Sequence, residues 1–140
     1  MSFEFTTAVD VRYDDLDTYG HVNNVRYGTY FEEARIDYLA EVVGRGDRSF
    51  LAADGEGTGI VVANLEIDYE RPVRSVDSVT VGVRVPNLGT KSFPFEYEVR
   101  DEAGVVATGE STQVTYDREA EAPQAIPDDW RDAISQFEWQ

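Results

Sequence analysis

One segment of helical period, set among runs of strict alternation, constrains this chain more than any other feature. Between residues 25 and 43, Tyr27, Tyr30, Phe31, Ala34, Tyr38, Val42 and Val43 fall near helical spacing, with Glu32, Glu33, Asp37 and Glu41 largely opposite. Elsewhere the period is two. Phe3, Phe5, Thr7, Val9, Val11 and Tyr13 alternate with more polar residues, which predicts a half-buried strand over residues 3–13. Four further strand-like runs follow: Leu65 to Tyr69, Val79 to Val85, Phe93 to Val99, and Val105 to about Tyr116. Five strands and one long helix predict an α+β domain in which a five-stranded antiparallel sheet carries that helix on its face.

The punctuation agrees with this order. Residues 14–24 are polar and read as a loop; Asn23 or Asn24 is a competent N-cap and Gly44 a competent stop. Residues 44–59 are rich in Gly and Asp and read as a long loop. Asn87-Leu88-Gly89 and Glu102-Ala103-Gly104 supply hairpin turns, and Pro94 marks an edge or a bulge in its strand. A short C-terminal helix is expected after Pro127, with Trp130, Ile134 and Phe137 on one face. No linker, repeat or low-complexity block divides the 140 residues, so one domain over 1–140 is expected.

The segment from Tyr13 to Tyr38 carries the chemistry. It sets Asp14, Asp15 and Asp17, the sole histidine, His21, and the Asn23-Asn24 pair directly before the helix. A carboxylate beside free helix-start N–H groups offers a base or nucleophile next to oxyanion donors, which is what acyl transfer requires. The three aspartates compete for that role, and a loop aspartate commonly bonds its own backbone instead. Other chemistries fail on their residues. The run from Asp15 resembles a calcium loop, but its fifth position is Tyr19 and its twelfth Arg26. With no cysteine and one histidine, no zinc site is expected. There is no G-x-S-x-G elbow, and Gly55 to Gly59 lacks the lysine and the setting of a phosphate loop.

Charge adds a constraint. There are 28 acidic against 12 basic residues, a net charge of -16, and Lys91 is the one lysine among the basic residues. The acids are scattered through patterned segments, which suits a surface kept soluble in high salt. At ~1 M salt the Debye length is only ~3 Å, so such self-repulsion is tolerable. A salt-loving source is expected. Nucleic-acid binding is disfavoured, since no basic stripe is present. No apolar run has the length of a membrane helix and the N-terminus has no signal-like core, so no membrane partner and a cytoplasmic location are expected.

The run Arg12-Tyr13, Asp17, Gly20-His21-Val22-Asn23-Asn24, Tyr27, then Tyr30-Phe31-Glu32 and Ala34-Arg35, strongly resembles the hotdog-fold acyl-CoA thioesterases of the 4-hydroxybenzoyl-CoA thioesterase type. Leu88 to Phe93, followed by Glu96 to Val99, is similar to that family's central hairpin. The resemblance covers nearly the whole chain. It implies a sheet wrapped around the long helix and a homodimer or homotetramer with active sites at the subunit interface. It implies an acyl-CoA substrate and no cofactor, CoA being part of the substrate. By the same resemblance Asp17 acts as nucleophile or general base, and the backbone N–H near Asn24 polarises the carbonyl. His21 orients the loop or the substrate. Tyr13 and Tyr27 line the acyl pocket; Lys91, the one lysine, and Ser92 beside it are further candidates for substrate binding.

CoA is polyanionic, so a local cationic patch is expected, with Arg71, Arg74, Arg84, Lys91 and Arg100 as candidates. An acyl carrier protein thioesterase and a non-catalytic acyl-CoA-binding protein are the rival readings. The presence of Asp17 argues against the second.

Overall fold

The computed structural model describes residues 3–47, 57–73 and 78–139. In chain order these form β1 (Phe5–Asp10), a single 3-10 turn (Tyr13–Asp15), α1 (Arg26–Tyr38) continuing into a wider π-type turn (Leu39–Val43), β2 (Thr58–Tyr69) and β3 (Ser78–Arg84). β4 (Ser92–Asp101), β5 (Gly104–Asp117), the short β6 (Ala122–Pro123) and α2 (Asp128–Glu138) follow. The sheet runs β1-β3-β4-β5-β2, antiparallel throughout, with β6 beside the end of β5. This is the hotdog arrangement that the sequence implied: a curled sheet of five main strands around one long helix, plus a C-terminal helix.

Alternation explains the sheet. In β4 the buried positions are Phe93, Phe95, Tyr97 and Val99, every second residue, and β3 buries Val79, Val81 and Val83 on the same principle. These side chains meet the aromatic stripe of α1. Phe31 stacks on Tyr97 at 4.3 Å between centroids, and Tyr38 packs edge-on to Phe95 at 5.2 Å. Fully burying one such ring stabilises the fold by roughly 2–3 kcal/mol. α2 closes one side: Trp130 and Ile134 are buried, and Phe137 packs edge-on against Tyr38 and Phe5. The Glu138 carboxylate accepts from the Tyr38 hydroxyl at 2.6 Å and from the Val85 N–H at 2.8 Å, tying α2 to α1 and to the end of β3.

Local chemistry moved several boundaries. β1 ends at Asp10, because the Asp15 carboxylate accepts the Arg12 N–H at 2.8 Å and folds Tyr13–Asp15 into a turn. Neither asparagine caps α1 with its side chain; Asn23 Oδ1 instead accepts from Val25 N–H, forming a turn just before the helix. Gly44 is not the left-handed stop. The last turn widens, with Gly44 N–H bonding Leu39 O, and the left-handed positions pass to Arg45 and Gly46. β2 begins at Thr58 rather than near Leu65, and its register shifts between Val62 and Asn64. That bulge breaks the period-two pattern, which hid the first half of the strand. β4 is flanked by β3 and β5, yet its ladder with β3 stops at Glu96, so Pro94 sits where no β3 partner faces it. Within the loop expected over 44–59, residues 48–56 lie outside the described residues.

Gly109 leaves room for the Phe31 ring of α1 to press against the sheet. A Cβ there would lie 2.5 Å from the Phe31 ring and 2.7 Å from the Glu66 carbonyl oxygen. Gly109→Ala is therefore expected to destabilise the fold by about 1–3 kcal/mol through overpacking, read as a lower urea midpoint. An unchanged midpoint would contradict this packing.

Candidate active site

The loop before α1 is a tight, fully specified structure. Leu16 and Val22 form an isolated antiparallel bridge. Between them Asp17 N–H donates to His21 O at 2.7 Å and Gly20 N–H donates to Asp17 O at 3.1 Å. Gly20 stands at φ +78, a left-handed conformation that glycine adopts without the penalty of a side chain. Two anchors dock the loop onto its surroundings: Val22 N–H donates to Val73 O at 2.7 Å, and Asn23 N–H to Asp15 O at 2.8 Å.

This geometry separates the three aspartates. Asp15 is buried, 2% exposed. Its Oδ2 accepts from the Tyr30 hydroxyl at 2.8 Å and from Arg12 N–H at 2.8 Å, and Arg26 Nε lies 3.6 Å from its Oδ1. Burial, and then the bond to Asp15, push the Tyr30 phenol up. Asp15 is thus committed to holding loop and helix together. Asp14 is exposed; its backbone carbonyl accepts from the Arg26 guanidinium, and it does not line the cleft. Asp17 is half-buried. Its Oδ1 accepts from Tyr19 N–H at 2.8 Å and His21 N–H at 3.1 Å, while Oδ2 has no hydrogen-bond partner among the described residues. One oxygen fixes the carboxylate and the other is uncommitted among the described residues.

Asp17 lies on the wall of a cleft of about 330 Å³ shared with His21, Val22, Asn24 and Tyr27 on one side and Tyr69, Glu70, Arg71 and Pro72 on the other. Asn24 N–H has no acceptor among the described residues, so one helix-start donor is free beside the carboxylate. The His21 Nε2 is buried and has no hydrogen-bond partner among the described residues. Tyr27 is buried, and its phenol is pushed up by that burial and then by Tyr69 and Asp101. Two other depressions are less suited. One of about 370 Å³ on the outer sheet face is lined by Glu66, Asp68, Glu96, Glu98 and Glu110, which disfavours an anionic ligand. One of about 530 Å³ between Val42 and Phe137 carries Glu41 and Arg45 but no free helix-start donor.

The structure therefore brings Asp17, His21, Asn24 and Tyr27 together. Of the cation candidates Arg71 lines the same cleft, whereas Tyr13, Lys91 and Ser92 do not. Tyr13 is 93% exposed and lies outside the cleft lining. Lys91 and Ser92 lie at the start of β4, whereas the cleft residue Arg71 bonds Asp101 at the other end of that strand, roughly 30 Å away at ~3.3 Å per residue.

The cations also sort themselves. Arg71 grips Asp101 with two nitrogens and holds its carboxyl below the ordinary range; Arg84 pairs with Glu96 and Arg100 with Glu98. Lys91 has no carboxylate partner among the described residues, and Arg74 lies outside them. Tyr69, Glu70 and Pro72 had no signal in the sequence, because only the fold sets the end of β2 against the loop. Among the described residues no group of three or more His, Cys, Asp or Glu gathers to hold a metal, and no helix is long and apolar enough to cross a membrane.

Known proteins share this frame. A family model described as the thioesterase-like superfamily matches residues 11–134. The long-chain acyl-CoA thioesterase FadM of Escherichia coli is 32% identical over 133 residues, 94% of this chain and 97% of that protein. The uncharacterized protein YsmA of Bacillus subtilis is 32% identical over 96 residues, 69% of this chain, and the match spans only 60% of that relative's length. A crystal structure of a thioesterase from Thermus thermophilus, complexed with coenzyme A and Zn, superimposes with a TM-score of 0.80 at 34% identity, covering 99% of this chain and 96% of that one.

The division of roles between the aspartates can be measured as stability. Asp15→Ala strands the Tyr30 hydroxyl and is expected to cost about 2–3 kcal/mol, read as a lower urea midpoint. A midpoint equal to that of the unmodified protein would return Asp15 to the candidates for the chemistry.

Proposed function

The chain belongs to the thioesterase-like superfamily, and from that premise we propose that it hydrolyses an acyl-CoA thioester to a free acid and CoA. The observation that carries this reading is the pairing, on one cleft, of an Asp17 oxygen without a partner and an Asn24 N–H without an acceptor, both among the described residues. A thioester carbonyl seated between them has its oxygen at the donor and its carbon within reach of the carboxylate or of a water that the carboxylate deprotonates. In the first route Asp17 forms an acyl-aspartyl anhydride as the C–S bond breaks, and water then cleaves the anhydride. In the second, water adds directly and its proton passes to Asp17. In both, CoA leaves as a thiolate that takes up a proton. One oxyanion donor lowers such a barrier by about 3–4 kcal/mol. His21 lines the same cleft, and its buried Nε2 has no hydrogen-bond partner among the described residues, which supports a role in orienting the loop or the substrate. Tyr27 contributes an apolar ring wall to the acyl side.

With this activity goes a homodimer built along β2, and a homotetramer as two such pairs. β2 is the last strand of the sheet, and Val61, Val62, Leu65 and Tyr69 are between 40% and 48% exposed on it. An exposed, apolar edge strand invites a partner strand. Two copies paired antiparallel through β2 set the Tyr69 end of one against the Thr58 end of the other. Thr58 is opposite Asp117, and Val114 on the same strand is opposite Ser92. Such pairing therefore carries the partner subunit's Lys91 and Ser92 toward the cleft that holds Asp17. Lys91 then supplies a cation for a CoA phosphate, in a protein whose net charge of -16 otherwise repels CoA. We read that charge as an adaptation to a salt-rich cytoplasm, where screening lets an anionic substrate approach.

A thiol-release assay at ~1 M salt against acyl-CoAs of varied chain length and aromaticity tests the reading. Turnover of at least one is expected; binding without turnover of any would make this a non-catalytic acyl-CoA-binding protein. Lys91→Ala is expected to raise KM about tenfold, the equivalent of ~1.4 kcal/mol, with kcat unchanged. An unchanged KM removes Lys91 from the phosphate site.

A further inference from the structure

We propose that Tyr69 is a positioning residue for the thioester oxygen: its hydroxyl, donated to the Asn24 carbonyl, fixes the helix-start backbone whose free N–H meets the substrate. The proposal rests on the thioesterase reading and assigns the part of the site contributed by the edge strand.

Tyr69 is the last residue of β2, opposite Ala107 on β5. From there its ring reaches α1 and packs edge-on to Tyr27, 5.3 Å between centroids at 75°. Its hydroxyl donates to Asn24 O at 2.8 Å. Beyond bonds internal to the helix, that carbonyl receives only a long contact from Tyr27 N–H, at 3.4 Å. The peptides around Asn24 are held by further bonds: Asn23 O, in the same peptide as the Asn24 N–H, accepts from Arg26 N–H at 2.9 Å. Asn23 N–H donates to Asp15 O, and Val25 N–H to Asn23 Oδ1. Each peptide is rigid, and neighbouring peptides turn only about two torsions at their shared Cα. Tyr69 holds the carbonyl side of Asn24 while Arg26 and Asp15 hold the Asn23 side, and together these bonds fix the direction of the Asn24 N–H between them.

The stability consequence is small and the catalytic one large. Asn24 is exposed, so a carbonyl that loses the Tyr69 hydroxyl is taken up by water. Orientation is what disappears. A donor lowers the barrier only when it is aimed in advance at the charge that develops on the oxygen. Tyr69 itself is half-exposed, touches no reacting atom, and acts through Asn24.

Tyr69→Phe keeps the ring and its packing on Tyr27 and removes only the hydroxyl. With an acyl-CoA that the wild-type protein turns over, kcat is expected to fall about tenfold while KM stays within about twofold. The affinity for a thioether analogue, in which a methylene replaces the carbonyl, is expected to stay within about twofold as well, since it has no oxygen to orient. An unchanged kcat overturns the proposal. So does a fall in kcat accompanied by an equal loss of thioether affinity and a lower melting midpoint, which would make Tyr69 a structural residue. A wild-type protein that releases no thiol from any acyl-CoA removes the thioesterase reading and this proposal together; a fully active variant beside an active wild type removes this proposal alone.

Discussion

The burial of one aromatic helix face against the sheet is the interaction on which the rest of the structure depends. Phe31 lies flat on Tyr97 and fills the space that Gly109 leaves open, and Tyr38 packs against Phe95 and Phe137. These contacts fix where α1 lies and hence where it begins. The start of α1 is held by a second set of bonds, from Tyr30 to Asp15 and from Asn23 to Asp15. The cleft is a consequence: it lies between that start and the end of β2, whose relation is set by the Tyr69 bond to Asn24 and the Val22 bond to Val73. A site placed on two rigid elements in this way keeps its donors and its carboxylate in a set relation before any ligand arrives.

Two carboxylates two residues apart take opposite roles because of their surroundings. Asp15 is buried and accepts from a phenol and a backbone N–H, so its charge stabilises the fold. Asp17 uses one oxygen to close its own loop and presents the other to the cleft. The loop geometry that Gly20 permits makes this possible. The same contrast runs through the cations. Arg71, Arg84 and Arg100 are each neutralised by a neighbouring carboxylate, which leaves Lys91 with its charge uncompensated among the described residues. In so acidic a protein an unpaired cation is a scarce local feature.

Much of the fold was legible because its periods are clean. The α1 stripe, the alternation of β3 and β4 and the Trp130-Ile134-Phe137 face of α2 all lie where the pattern put them. The first half of β2 was not legible, since four apolar residues run in succession from Ile60 to Ala63 around the bulge and break alternation. The ends of α1 misled for a related reason: asparagines near a helix start read as caps, but Asn23 closes a turn instead, and the widened last turn displaced the glycine stop. At the site, residues from one continuous segment were readable together: Asp17, His21, Asn24 and Tyr27. Tyr69 was not placed beside them, because only the closure of the sheet brings the end of β2 to that loop, whereas Arg71 was among the candidate cations and lines the cleft. Tyr13 was placed in the pocket by resemblance, and it faces solvent.

Everything proposed for the cleft turns on one claim, that a carboxylate oxygen fixed in the loop before α1 acts on a carbonyl held at the helix start. The most direct measurement of it is thiol release by Asp17→Asn beside the wild-type protein, at matched high salt, with circular dichroism to verify the fold. The substitution preserves shape and removes the charge. A native fold and a loss of turnover of about 100-fold or more are predicted, the scale expected for removing a general base or nucleophile. Turnover equal to that of the wild-type protein would contradict the claim.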